Sequence, residues 1–295
     1  MLDSNTARKN RWLLFSSWIV LSLVLFLSPI LALVKLSLSQ DDASYLVLIP
    51  FISVVILYLE RARIFPQVST DLRLGSVFLL LTALAALASL LAKNVPSLGL
   101  RLSGWILALV LLCVSGFAFL FGKPALKAAY FPFLFLLLMV PIPSFLLDRI
   151  IFLLQEGSAW ITGVLFDLAG VPALREGLVF HLAKVSIEVA KECSGIRSSM
   201  ALFILALLVA HFRLRSFRNK VLFVTCGLFM MILKNGVRIA TLTLLAVYVD
   251  PDFLFGRLHH QGGVVFFVLA LLLLLPLLFL LQRSEAKRQA VVKPS

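Results

Sequence analysis

Residues 194–220 read Ser194-Gly-Ile-Arg-Ser-Ser-Met-Ala-Leu-Phe-Ile-Leu-Ala-Leu-Leu-Val-Ala-His-Phe-Arg-Leu-Arg-Ser-Phe-Arg-Asn-Lys220. An apolar run of the length that crosses a bilayer, roughly 20 residues, stops at Phe212. Four cations follow at once: Arg213, Arg215, Arg218 and Lys220. A second apolar run begins at Val221. Apolar, basic, apolar is the pattern of two membrane helices joined by a cytoplasmic turn, because Lys and Arg collect on the cytoplasmic side of short loops.

The same reading extends over the whole chain. Hydrophobic residues make up 61% and charged residues 14% of the 295 positions, a balance of polytopic membrane proteins rather than soluble enzymes. Eight spans are expected, at residues 12–34, 45–59, 76–91, 105–121, 128–142, 194–212, 221–248 and 262–281. They form one integral-membrane domain over residues 1–295, all-α in class, without repeats or low-complexity linkers. The first run lacks a clear cleavage site and reads as a span rather than a removable signal.

Loop charge sets the orientation. Arg8, Lys9 and Arg11 precede the first span; Arg61, Arg63 and Arg73 lie between the second and third; Lys123 and Lys127 follow the fourth. The basic turn after the sixth and the tail bearing Arg283, Lys287, Arg288 and Lys293 complete the set. These are alternate connections, so all are cytoplasmic and both termini lie inside. The net charge of +13 is thus topological and is not a nucleic-acid footprint.

The longest outward connection is 143–192. Its pieces 145–154 and 160–169 are apolar but short for a crossing, so they are expected at the interface or dipping in and returning. In 171–190 apolar and polar residues alternate around Gly177, which predicts a short β-hairpin or extended flap.

That flap runs into Glu188-Val-Ala-Lys-Glu-Cys-Ser-Gly-Ile-Arg197. If a helix starts here, Cys193 lies in its first turn beside Ser194 and Gly195, with Arg197 one turn along the same face. A helix start and a guanidinium both favour thiolate. A small buried apolar cysteine is the other reading, and it is the one expected for Cys113 and Cys226 inside apolar runs. The seventh run carries Lys234-Asn-Gly-Val-Arg238. Arg238 lies about 17 residues from Val221, roughly 25 Å along a helix, so in the outer part of the bilayer. Intramembrane charges usually face a cavity and act there, although a structural pair is the alternative; Lys234 reads as the structural one. His259-His260 stands at the outer mouth of the last run and fits a proton relay, a metal ligand or surface decoration. No CxxC or HExxH spacing occurs, and neither a metal nor a cofactor is expected. Together a helix-start Cys, an outer-leaflet Arg and a His are acyl-transfer parts.

These residues resemble the exosortase/archaeosortase family of membrane transpeptidases over most of the chain. Residues 41–59 are similar to the family's acidic, Tyr-containing segment, although its usual His-Gly before the apolar run is missing. Residues 141–147 and Leu174-Arg-Glu-Gly177 resemble the stretch ahead of the nucleophile. Glu188…Arg197 looks like the Cys signature, Asn235…Arg238 the Arg signature, and His259 with Gly263 the His signature. Lys191-Glu192 departs from the commoner Glu-Ala.

The resemblance implies a catalytic Cys193–Arg238–His259 set, with Arg197, Ser194, Gly195, Asn235 and His260 in support. Arg175, Glu176 and Glu188 are expected to contact substrate. It also implies a multi-pass bacterial inner-membrane enzyme whose site faces the periplasm. Its partners would be membrane lipids and membrane-anchored proteins with a C-terminal sorting signal: a Pro-Glu-Pro-like motif, a transmembrane helix and a basic tail. The signal would be cleaved and the protein passed to a surface acceptor, in systems linked to exopolysaccharide production. Two other classes fit the residues alone. One is a transporter or non-catalytic export subunit with Lys234 and Arg238 along a pathway; the other is a lipid acyltransferase using the same Cys and His.

Overall fold

Apolar sequence with no water to bond its backbone must close its hydrogen bonds within each segment, and the chain accordingly folds into helices. The computed structural model describes residues 2–92, 98–183, 185–190, 196–254 and 263–292. Among the described residues six helices are long and apolar enough to cross a membrane, and a bent pair, taken as one span, makes a seventh. The protein is an all-α polytopic membrane protein with one small sheet. Its contacts divide it into two compact units, Met1–Leu147 and Asp148–Ser295.

The first unit begins with α1 (Leu2–Leu25) and α2 (Leu27–Ser39), which bend by 72° where the sequence predicts one straight span. Pro29 lies in the first turn of α2 and has no N–H for the carbonyl of Leu25, which frees the axis to break there. The predicted second and fifth spans are shorter than expected. One is α3 (Leu48–Leu59), followed by α4 (Arg61–Ile64). The other is α7 (Tyr130–Leu136) with a 3₁₀ turn, Leu137–Met139, where Pro141 and Pro143 bar further helix. Ser103 donates to the Pro141 carbonyl at 2.6 Å, so residues 130–141 return to the N-terminal end of α6.

The long pair of this unit is α5 (Leu72–Leu91) and α6 (Leu98–Ala128). Asp71 caps α5 by accepting from the Leu74 amide at 2.9 Å. The buried residues of α5 are Gly75, Thr82 and Ser89, a small-residue stripe that admits a close neighbour; Ser115 of α6 donates to the Gly75 carbonyl at 2.9 Å. Gly122 interrupts α6 at φ 77°, and the Ser69 amide donates to Phe121 there at 3.2 Å. A Cβ at Gly122 would strike the Ser69 carbonyl. Below this corner Phe65 meets Trp12 and Phe121 edge to face, and Phe117 packs at a tilt against Phe65 and Phe121.

In the second unit the two apolar pieces expected at 145–154 and 160–169 form one uninterrupted helix, α8 (Ser144–Leu168). It passes the length and composition test for a span, which corrects the expectation that these pieces are too short. No proline separates the two, and Gly157 and Gly163 alone do not break a helix. The flap is a three-stranded antiparallel sheet, β1 (Ala173–Glu176), β2 (Val179–Leu182) and β3 (Ser186–Glu188), in that order. Gly177 makes the β1–β2 turn at φ 62°, a conformation glycine adopts without strain. Phe180 pairs with Arg175 on one side and Ile187 on the other.

After the sheet come α9 (Ile196–Arg213), α10 (Phe217–Tyr248) and α11 (Gly263–Val292). Leu202, Ala206, Phe223, Met231, Leu274 and Leu278 bury themselves between these three helices. The Ser216 side chain makes no cap for α10. Glu285 of α11 takes that role, accepting from the amides of Ser216 at 2.9 Å and Arg215 at 3.0 Å and from the Asn219 side chain at 2.9 Å. A carboxylate at a helix start is doubly favoured, by the orphan donors and by the helix dipole.

Candidate active site

The chemistry-bearing residues of α10 are fixed from two sides. Toward α8, Gly236 and Gly157 remove side chains where the helices meet. A Cβ on Gly236 would lie 2.6 Å from Ile161, and one on Gly157 would lie 2.8 Å from Ile232. This close approach lets short polar groups reach across. The Asn235 amide donates to the Ser158 hydroxyl at 3.0 Å, and Thr162 donates to the Gly236 carbonyl at 3.2 Å and to the Ser158 carbonyl at 2.8 Å. Ser158, Thr162 and Asn235 are all almost wholly buried. Toward α9, the Lys234 ammonium donates to the Ser198 hydroxyl at 2.7 Å, and Lys234 is buried.

Arg238 stands one turn beyond Lys234 on the same helical face and is half-buried. The residues that follow it enter the core beneath the sheet. Ala240, with Ile239 and Leu244 beside it, shares one buried cluster with Ala159 and Phe166 of α8 and with Phe180 and Val189 of the sheet. Arg238 is thus carried on the stretch of α10 that the sheet covers. Two cations and several hydroxyls in a poorly solvated setting favour negative charge far more than they would in water.

Two adjacent residues of α8 anchor the sheet, one at each side of it. Gln155 donates to the Val189 carbonyl at 2.6 Å. Arg175 donates to Glu156 at 2.6 Å and through Nε to the Gly177 carbonyl at 2.8 Å, so this expected recognition residue also serves as a tether. Glu176 and Glu188 point to the exposed face. There Glu176 lies 3.7 Å from His181, which also meets Ser186 at 2.9 Å.

Arg197 is the second residue of α9 and is exposed. Cys193, Ser194, Gly195, His259 and His260 lie outside the described residues. Among the expected residues, Asn235 and Arg238 therefore share α10, Arg197 stands beside Ser198 on α9, and Arg175, Glu176 and Glu188 share the sheet. Sequence reading missed the α8 contribution of Gly157, Ser158 and Thr162. The available signal was a group of small residues within an otherwise bulky apolar run. Ser198 was equally missed, since a serine after Arg197 signals nothing until Lys234 is brought to it. Among the described residues no three His, Cys, Asp or Glu gather as metal ligands.

No curated protein and no solved structure matches this chain. A family model described as transmembrane exosortase matches residues 37–276, a segment that holds α3 to α10, the sheet and both histidines of the 259–260 pair. On that match, the chain belongs to the transmembrane exosortase family.

Proposed function

We propose that this protein is a membrane cysteine transpeptidase that cleaves a C-terminal sorting signal, of the Pro-Glu-Pro, transmembrane-helix and basic-tail kind, and passes the exported protein to a surface acceptor. The observation that carries the reading is the shared core of Ala240 and Val189. It joins the Arg238 stretch of α10 to the strand that leads, four residues on, to Cys193. In this reading the Cys193 thiolate attacks the scissile carbonyl. Arg238 stabilises the thiolate and the oxyanion that replaces it, and His259 gives its proton to the departing amine. The acceptor then attacks the thioester and expels the Cys193 thiolate. Arg197, Asn235 and Lys234 support the site, and His260 is the neighbour of the acting imidazole. Glu176 and Glu188 line the exposed sheet face, where an extended motif would add along a strand edge.

Topology supports a periplasmic site. The Ser103–Pro141 bond returns the chain to the α6 end opposite Lys123 and Lys127 before α8 begins. The sheet then leads to the α9 end opposite Arg213 and Arg215. With the basic ends cytoplasmic, both ends of α8 face outward, and the helix lies at or dips into the outer interface, although it is long enough to cross. It is also the least apolar of the six long helices, and it carries Asp148, Arg149, Glu156 and Asp167. Both termini are then cytoplasmic in a bacterial inner membrane.

The test is a reporter ending in such a signal, produced beside the wild-type protein or its Cys193→Ala, Arg238→Ala and His259→Ala forms. Tail loss with wild type alone, and a product mass equal to the reporter plus an acceptor, is the expected result. Processing by Cys193→Ala would refute the mechanism, and a product mass of plain hydrolysis would refute transfer.

A further inference from the structure

A cleft of about 500 Å³ opens in the first unit where α4 meets the α6–α7 corner, lined by Arg63, Pro124, Lys127, Ala128 and Tyr130. Two of its five lining residues are cations, and both are exposed. Arg63 lies 3.6 Å from the carboxylate of Glu60, whose own side chain is mostly covered. Arg61 and Lys123 add charge from the same two segments, so residues 60–64 and 122–130 carry four cations and one carboxylate. Arg61 is already engaged, donating to the Tyr58 carbonyl at 2.8 Å and lying 4.1 Å over its ring.

The walls are built rather than incidental. The Ser69–Phe121 bond and the left-handed Gly122 fix the corner. Ile64, Phe65, Ala125 and Ala129 are buried beneath it. Directly beyond the cleft, α3 and α7 pack on each other and turn Val55, Leu59 and Leu134 outward. A cationic recess at the end of an exposed apolar face has the two-part chemistry of a lipid site: charge for a headgroup, hydrocarbon surface for its chains.

We propose that this cleft binds the phosphate headgroup of an anionic phospholipid, with Arg63 and Lys127 as its cationic contacts and the α3–α7 face beneath its acyl chains. The assignment is independent of the Cys193 reading, since no residue of the second unit takes part. Soluble phosphate is the lesser candidate, because it leaves the adjoining apolar face unused.

Native mass spectrometry of the full chain in mild detergent, with phosphatidylglycerol or phosphatidylcholine added, tests it. Wild type should retain phosphatidylglycerol selectively, and Arg63→Gln with Lys127→Gln should lower that retention by about tenfold or more, as two surface cations are expected to contribute. The charge-keeping pair Arg63→Lys with Lys127→Arg should keep most of it. Lys287→Gln with Arg288→Gln, which removes two cations elsewhere, should change it little. Equal retention of both lipids, unchanged retention in the glutamine pair, or an equal loss in the Lys287/Arg288 control would overturn the proposal. Complete displacement by millimolar inorganic phosphate would replace the lipid with a soluble anion. If the glutamine pair fails to fold, Lys127→Met alone gives the same reading, with an intermediate loss expected and no loss overturning it.

Discussion

The side-chain amide of Asn235, on α10, donates to the hydroxyl of Ser158, on α8, at 3.0 Å, and neither residue is reached by solvent to any extent. Removing it leaves a polar group facing a dry helix contact. Asn235→Ala should cost about 1–2 kcal/mol, the range for a lost buried hydrogen bond with some relief from relaxation. If α10 also holds the site in register, reporter processing should fall by about tenfold while Ser158→Ala has a smaller effect of the same sign. Thermal unfolding in detergent and the processing assay check both parts. Full processing by Asn235→Ala would leave the bond with a purely structural role.

The Lys234–Ser198 bond predicts an asymmetry. Ser198→Ala removes an acceptor and leaves the ammonium buried, whereas Lys234→Met removes the charge and keeps the alkyl volume. Taking away one partner of a buried polar pair usually costs more than replacing the charged one with a hydrocarbon of similar shape. Ser198→Ala should therefore destabilise by about 1–3 kcal/mol, and Lys234→Met by less. Melting curves of the two variants decide it; the reverse order would show that Lys234 contributes net favourable charge.

Glu285 joins α11 to the start of α10 through three donors. Glu285→Gln swaps one accepting oxygen for a donor that faces other donors, and it removes the charge that the helix start favours. A loss of about 1–3 kcal/mol is expected. Hydrogen exchange should locate the loosening in the first turn of α10 and the preceding residues Arg215 and Ser216. Unchanged protection there would contradict the capping role.

The Arg175–Glu156 pair is partly exposed, with side chains at 27% and 47%, so its contribution to global stability is small, at most about 1 kcal/mol. Its effect should be local. Arg175→Ala should raise hydrogen exchange in β1 and β2 and slow processing, and the swap Arg175→Glu with Glu156→Arg should restore part of both. If Arg175 instead meets substrate directly, the swap will recover protection but not processing.

Much of this architecture was legible because membrane folding writes itself into long apolar runs and basic loops. The helix pairs 76–91 with 105–121 and 194–212 with 221–248 emerge close to α5, α6, α9 and α10 for that reason. Gly177 marked its turn, because alternation on both sides left only a reversal to explain it. The rest depended on contacts with no local signal. The length of α8 was underestimated because hydropathy dips at Gln155, Glu156 and Ser158, and tertiary partners satisfy those residues: Val189, Arg175 and Asn235. The bend at Phe26 follows from Pro29 and the shortness of α7 from Pro141 and Pro143, and the effect of a proline depends on which neighbours support the broken turn. Asn235 and Arg238 could be singled out as out of place in hydrocarbon; that Ser158 and Ser198 would meet their helix could not.

Residues 140–143 leave the helix before α8 begins, and non-helical backbone ordinarily strands one donor and one acceptor per residue where water does not reach it. Pro141 and Pro143 each carry a carbonyl and no N–H, and Ser103 covers the Pro141 carbonyl. Val140 already donates to Leu137, and the Pro143 carbonyl accepts from Leu146 and Leu147 of α8. Proline here acts less as a helix breaker than as an insulator. It allows backbone to gain roughly 3.3 Å per residue instead of 1.5 Å while hiding the donors that make stretched chain intolerable in lipid. The chain after α7 thus presents fewer donors to its surroundings than an ordinary stretch of unwound backbone would.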